Sequence, residues 1–522
     1  MKKAGRPDIL FLSVHSRRSG TFMKTENVSS NLKSPPETWT EEGFALLWDP
    51  PERQPKPEYY KIFINDKETG RTRDTDYTVR GLKSSETYKA CVYKVENGRS
   101  IPVSPAVTIT TRPKPEIFDV TSFGAVGDGK ALNTEAIQRA VDACSHGGRV
   151  YIPKGVFLTG PIYLKSDMTL YVEEGGKLLG SENLKDYPLE TYRFEGLETA
   201  CYASLVGVKG NGSRYRNIVI AGPGTIDASG SPLRKKELED GRGKPGRAIC
   251  LRNTDGVYLQ DITVRQSPAW CVHMIYCNDI ALNNVKIYTK YDENGIPYAG
   301  IENGDGFDPD SCRNVSVFRC TIASEDDCIA IKSGKDAEGR KVGIPSENIS
   351  ITNCTFQSGF GVAVGSEMSG GVRNVLVRDC RFENVYCAVS IKTLRGRGGV
   401  IENIRYENIV HHNGSTEYRD CKWFRGAVNI DQFYSHEKFD VNQPETVTDG
   451  TPVIRNILLK NMTIDTVAGN AVYLAGLPES PLENLRLENI RAVGKYGMKI
   501  YNTSRSALEN IEVHSRTNEC RF

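Results

Sequence analysis

Three aspartates in two short stretches carry the chemistry legible in this chain. Asn303-Gly304-Asp305-Gly306-Phe307-Asp308-Pro309-Asp310 supplies one, and Ser324-Glu325-Asp326-Asp327-Cys328 supplies two. Carboxyl groups at a controlled separation are how proteins cleave glycosidic bonds: one is kept protonated as the acid, and another activates water. A purely structural site has little use for adjacent carboxylates, because like charges repel and raise a pKa. Asp305, Asp326 and Asp327 are therefore the candidate catalytic residues. Asp308 and Asp310 flank a proline and read as turn formers.

The rest of the chain must bring those carboxyls together. A phrase of Asn, an apolar residue, any residue and a second apolar residue recurs at Asn217, Asn314, Asn348, Asn374, Asn403, Asn456, Asn484 and Asn510, with a variant at Asn278. From Asn348 onward the copies lie 26, 29, 53, 28 and 26 residues apart, the 53 being close to two such intervals. A period in the twenties made of short strands and turns predicts a parallel β-helix, in which each coil covers the apolar side of the one before. The Asn residues would satisfy backbone groups at the coil corners. Asp305 and Asp326, 21 residues apart, are then about one coil apart and share a groove. Neighbours Asp326 and Asp327 can both face that groove only where the strand bends or ends, since a regular strand sends them to opposite sides.

Three regions precede or make up this repeat. Residues 1–35 are polar and aperiodic and read as a poorly ordered arm. Residues 36–113 alternate as short strands, with Trp48 as a core residue and Tyr88 following Leu82; the segment resembles a fibronectin type III β-sandwich. From 118 to 522 the β-helix follows, opened by an amphipathic helix, N-capped by Asn133 and ending at Cys144, that would cover its first coil. The fold class expected is all-β: a right-handed parallel β-helix behind an N-terminal sandwich.

Composition narrows the partners. With 67 Lys and Arg against 65 Asp and Glu, the net charge of +2 gives no general reason to expect nucleic acid or a membrane surface. The basic start is followed by an apolar run from Ile9 to Val14, shorter than a signal peptide requires. The 14 cysteines are scattered, several of them on apolar runs, and read as buried thiols in a reducing compartment. A cytoplasmic location is the expectation, with export by another route as the alternative.

From about 118 to 515 the chain resembles glycoside hydrolase family 28, the polygalacturonase family. The resemblance rests on Phe123-Gly124-Ala125-Val126-Gly127-Asp128-Gly129, Ile152-Pro153-Lys154-Gly155, Gly222-Pro223-Gly224-Thr225-Ile226-Asp227, Ser267-Pro268-Ala269-Trp270, Asn303 with Asp305, and the Asp326-Asp327 pair. It implies an inverting glycosidase acting on galacturonate-containing pectic chains, with Asp326 as the general acid and Asp305 and Asp327 activating water. No cofactor or metal is implied. The fibronectin-like segment in front resembles the arrangement of exo-polygalacturonases. Two positions depart from the family: Ser358-Gly359-Phe360-Gly361 has no histidine where a Gly-His-Gly is expected, and Ser390-Ile391-Lys392 keeps the lysine of Arg-Ile-Lys without its arginine. Lys392, Arg395 and Arg397 are then the nearest cations in sequence for a uronate carboxylate. Asn303, Tyr434 and His273 complete the expected substrate-binding set.

Other functions remain open on these residues. The same family could act on rhamnogalacturonan or another decorated hexuronide. A pectate lyase on a similar β-helix would need Ca²⁺ and a basic residue to abstract a proton. A carbohydrate-binding or adhesion β-helix would bind glycans without turnover.

Overall fold

The computed structural model describes residues 32–51, 56–210, 212–417, 423–435 and 439–517. Behind an N-terminal β-sandwich, almost all of the rest is a parallel β-helix. Each coil contributes strands to two stacked ladders of one 23-stranded sheet and, beyond a bend, one strand to an 11-stranded sheet. That smaller sheet runs through Ile249–Arg252, Val272–Ile275, Phe307–Asp310, Ile329–Ile331, Val362–Val364, Val389–Lys392 and Gly426–Asp431. Val, Ile and Leu fill the interior, including Ile280, Val315, Ile349, Val375, Ile404 and Ile457 in one register column. Parallel strands buried in this way need β-branched residues that pack on a pleated surface.

The coil corners are set by asparagine. Asn314, Asn348, Asn374, Asn403, Asn456 and Asn484 all take left-handed backbone, with φ between 55° and 59°. From Asn348 to Asn484, each side-chain NH₂ donates to the amide oxygen of the asparagine one coil earlier, at 2.7–3.2 Å. Asn tolerates this conformation because its short polar side chain bonds locally. Asn510 joins a second ladder, donating to Asn489 at 2.8 Å. The 53-residue interval is one coil and not two. Val400–Asn413 pairs directly with Val453–Thr466, and the residues between make the strand Gly426–Asp431 and the loops around it.

The helix Thr134–Ala143 lies at the N-terminal end with Ala136, Ile137, Ala140 and Val141 buried. Asn133 precedes it but does not cap it. Its side chain accepts from Val126 N–H at 2.7 Å and donates to Ala131 O at 2.7 Å, so it serves the loop that leads into the helix.

In the sandwich, Phe44–Leu47 pairs with Asp76–Val79, and Tyr59–Ile64 and Thr87–Glu96 are central in the second sheet. Trp48 packs edge-on against Tyr60 at 5.2 Å between ring centres. The expected arm lies mostly outside the described residues; of its end, Leu32 is buried in the sandwich core and Lys33 pairs with Leu47. Ala45 and Leu47 pack on Val219, Ala221, Tyr258, Ala281 and Phe318 of the β-helix. Arg319 binds the buried Asp76, and Arg378 binds Asp49 at 3.1 Å.

Asn374→Ala should cost more stability than Asn374→Gly, by about 1–2 kcal/mol, because both lose the ladder bonds but only alanine meets the left-handed penalty. Urea unfolding of the two variants checks this; equal midpoints would reject the backbone explanation of the ladder.

Candidate active site

Strand register decides which carboxyls meet. Phe307 pairs with Ile329, so Asp305, two residues before the first, is level with Asp327, two before the second. Gly306 N–H donates to Asp327 O at 2.9 Å and Phe307 N–H to Cys328 O at 3.1 Å, which fixes that alignment. Asp305 and Asp327 therefore stand one coil apart, a spacing of roughly 4.7–4.9 Å between strands. Asp326 is not in that column. The chain leaves one strand at Ala323, bends at Glu325 and Asp326 and re-enters a strand at Ile329, so Asp326 is half-exposed while Asp327 is buried. Ser324 Oγ donates to the Asp326 carbonyl at 2.8 Å, and Phe360 N–H donates to it at 3.0 Å. The bend is what lets sequence neighbours present two carboxyls to one groove.

Two buried lysines govern the charge. Lys392 Nζ lies 2.6 Å from Asp327 Oδ2. Lys332 Nζ lies 3.3 Å from Asp305, 3.5 Å from Asp308 and 3.4 Å from Glu367, and sits 4.5 Å from the centre of the Trp270 ring. Burial pushes Asp327 up to about 7; Lys392 pulls the other way, and Asp326 and Asp305 add to the rise. Burial, with Asp308 beside it, holds Asp305 well above the usual carboxylate range despite Lys332. Glu367 is held low, as Lys332, Arg397 and Lys392 outweigh its desolvation. Glu325 is raised to about 7 by burial and by Asp326.

Several expected site residues are placed otherwise. His273 is fully buried, edge-on to Trp270 at 4.9 Å and 3.6 Å from Asp310; burial lowers it to about 4, so it is a neutral packing residue. Arg395 forks onto Glu479 at 2.7 and 2.9 Å and meets Glu445 at 3.0 Å. Arg397 binds Asp336 at 2.5 Å and donates to Ser366 O at 2.9 Å. Both guanidiniums thus fasten loops. Lys392 meets Asp327 first, and Tyr434 stands beside it with its ring centre 5.2 Å from the ammonium. Asn303 is half-buried in left-handed backbone at the turn into Gly304 and Asp305.

Asp308 and Asp310 are not turn residues. Both lie in the strand Phe307–Asp310, fully buried on its outer side, with Asp310 on Arg193 at 2.5 Å. Reading the proline as a turn signal hid them, since proline also sits at strand positions whose N–H is not needed. Sequence reasoning missed Lys332 and Glu367, which the structure brings into the carboxyl cluster. The signal for Lys332 was its place in Ile329-Ala330-Ile331-Lys332, where alternation sends the lysine outward with Ala330. Among the described residues, no group of three or more His, Cys, Asp or Glu is arranged to hold a metal ion.

On the low-numbered side the groove is covered. Leu189–Phe194 and Leu197–Tyr202 form a hairpin whose Phe194 stacks on Trp270 at 5.1 Å, with Arg247 5.4 Å from the Trp270 ring centre. The hairpin tip reaches Lys335, which Glu195 meets at 3.8 Å.

A sequence model of the glycosyl hydrolases family 28 matches residues 150–516. The chain belongs to this family. It is a glycoside hydrolase. A probable polygalacturonase of Vitis vinifera is 31% identical over 388 residues, covering 71% of this chain and 73% of that protein. An exo-poly-alpha-D-galacturonosidase of Dickeya chrysanthemi is 27% identical over 464 residues, covering 74% and 75%. Among solved structures, the family 28 exopolygalacturonase of Yersinia enterocolitica superposes with a TM-score of 0.77 at 23% identity, over 93% of this chain and 98% of that one.

Lys392→Met should move the acid limb of the kcat/KM profile upward by about 1–3 pH units, since an opposite charge at this distance lowers a carboxyl pKa by that amount. The sign follows for Asp327 acting as a base, which has to be ionised: activity then falls as pH drops through its pKa, and losing the ammonium raises that pKa. An unmoved limb would mean that Lys392 does not set the charge of Asp327.

Proposed function

We propose that this hydrolase cuts α-1,4-galacturonosidic bonds of pectin-derived oligogalacturonides with inversion, from a chain end. The observation that carries the reading is the pair Asp305 and Asp327 held level on successive coils, with Asp326 set apart on the bend between them and the open groove. A half-exposed carboxyl can reach a leaving-group oxygen and give up a proton. The buried pair, coupled to each other and to Lys332 and Lys392, takes the proton of the attacking water. Lys332 and Lys392 hold the carboxyls in place.

The exo mode is supported by the covered end of the groove. With Phe194 stacked on Trp270 and Arg193 fastened to Asp310, the hairpin lies against the low-numbered coils, an arrangement that favours presenting the bond next to a chain end. Two of the relatives named above carry exo activity in their descriptions. The sandwich is read as a fibronectin type III domain because the Tyr88 hydroxyl accepts from Lys83 N–H at 3.0 Å, a tyrosine bonded to the backbone a few residues upstream.

Asp326→Asn should lower kcat on oligogalacturonides by about 10²-fold or more with KM little changed, as general acid assistance contributes about 10²–10⁴-fold. Proton NMR of the first product should show the inverted anomer. Turnover within a few-fold of wild type removes Asp326 as the acid, and initial release of the retained anomer rejects the water-activation scheme.

A further inference from the structure

The ammonium of Lys332 is approached from two coils at once. Asp305 and Asp308 reach it from the coil before, at 3.3 and 3.5 Å, and Glu367 reaches it from the coil after, at 3.4 Å. Strand register alone does not put Glu367 there. Val364 is level with Ile331, so the residue opposite Lys332 is Gly365. Beyond it the chain folds back on the neighbouring coil: Ser333 N–H donates to Glu367 O at 2.7 Å, Ser369 N–H to Gly334 O at 2.9 Å and Gly370 N–H to Ser333 O at 2.8 Å. Gly196 at the hairpin tip packs on the same side chain, where a Cβ would lie 3.0 Å from Glu367 Cγ. Backbone bonds already fasten this loop, and the carboxylate is free for another task. It is aimed at the ammonium, with Oε1 accepting from Ser366 Oγ at 3.0 Å and Oε2 accepting from Lys332 Nζ.

The charges around this contact are all close by. Asp305, Asp308 and Asp327 face Lys332 from the groove, Asp326 acts on Asp305, and Trp270 lies with its ring centre 4.5 Å from the ammonium. Asp310 is level with Lys332 but is taken by Arg193 at 2.5 Å. Arg247 and His273 lie beyond Asp308, and Lys392 and Arg397 lie beyond Glu367. Against its desolvation, Lys332, Arg397 and Lys392 hold Glu367 low, so it competes for the ammonium as a full negative charge. A cation divided among three carboxylates stabilises the ionised form of each less than a cation divided between two.

We propose that Glu367 is a positioning residue for the hydrolytic reaction: it draws the Lys332 ammonium away from Asp305 and so sets how much of that charge the water-facing carboxyl receives. This rests on the glycosidase reading above and adds to it a residue that acts through Lys332.

The full chain, carrying carbon-13 at its aspartate carboxyls, tests this directly, with the Asp305 signal assigned by its loss in Asp305→Asn. In Glu367→Gln the ammonium is left to two carboxyls, which favours ionised Asp305, so its titration midpoint should fall by about one pH unit. The acid limb of kcat/KM on oligogalacturonides should move down with it, opposite in sign to Lys392→Met, with KM little changed. Glu367→Asp keeps the charge and the loop bonds but sets the carboxylate one carbon back from Lys332; its midpoint should lie between the other two, and it gives the answer where glutamine disturbs the fold. In a Lys332→Met background, Glu367→Gln should shift the midpoint by less than about half as much, because the coupling runs through the ammonium. A midpoint that stays or rises in both Glu367 variants, or an equal shift with and without Lys332, overturns the inference. Absence of wild-type turnover on oligogalacturonides overturns the substrate reading instead, since the carboxyl titration is read without substrate.

Discussion

Everything at this site depends on parallel strands stacked in register. A one-residue slip between Phe307 and Ile329 would send Asp305 and Asp327 out of line and turn every side chain of one strand to the other face. What prevents the slip is distributed along the whole coil: an interior of Val and Ile columns, and a corner where each asparagine is bonded to the one before. The apolar columns resist slippage because the alternative buries polar groups. The corner ladders resist it because they tie each coil to the next at one residue. Catalytic geometry is in this sense a property of the repeat, although the repeat itself is chemically inert.

Burial then does what spacing alone cannot. Six carboxyls crowd the groove, and isolated in a dry site each would simply take up a proton. Lys332 and Lys392 change that balance unequally. Lys392 serves one carboxyl at 2.6 Å, whereas Lys332 is shared among three at 3.3–3.5 Å. A close undivided cation favours ionisation of Asp327, whereas burial and the neighbouring Asp308 raise Asp305 against the pull of Lys332. The two buried carboxyls thus differ in the lysine that each meets.

The coil period and the family motifs were legible in sequence because each coil repeats the same local demand: asparagine at a left-handed corner, then apolar residues facing in. The 53-residue interval misled because an insertion on the groove side lengthens a coil without adding one. Side-chain partners were less legible. Lys392, Arg395 and Arg397 lie within six residues, yet one meets a reacting carboxyl and two fasten loops to Glu479 and Asp336, partners 84 and 61 residues away in the chain. His273 and Asp308 sit in one register column, and the histidine is packed edge-on to Trp270, on which the hairpin's Phe194 stacks. Sequence spacing fixes which residues share a face. What lies over that face comes from segments the repeat does not contain.

The sandwich illustrates the same division. It buries Ala45 and Leu47 on a row of side chains from successive coils, Val219, Tyr258, Ala281 and Phe318, and sends Asp76 into a fully buried position beside Arg319 and Asn353. Breaking a buried ion pair leaves an uncompensated charge, so this contact is hard to separate once formed. A strut fixed across several coils opposes bending of the helix between them. The contact spans coils that lead up to the strand Phe307–Asp310, so the sandwich and the β-helix share one packed interface. The covering hairpin and the sandwich are therefore two kinds of addition to one repeat: the first packs on Trp270 beside the carboxyls, and the second packs on the outside of the larger sheet.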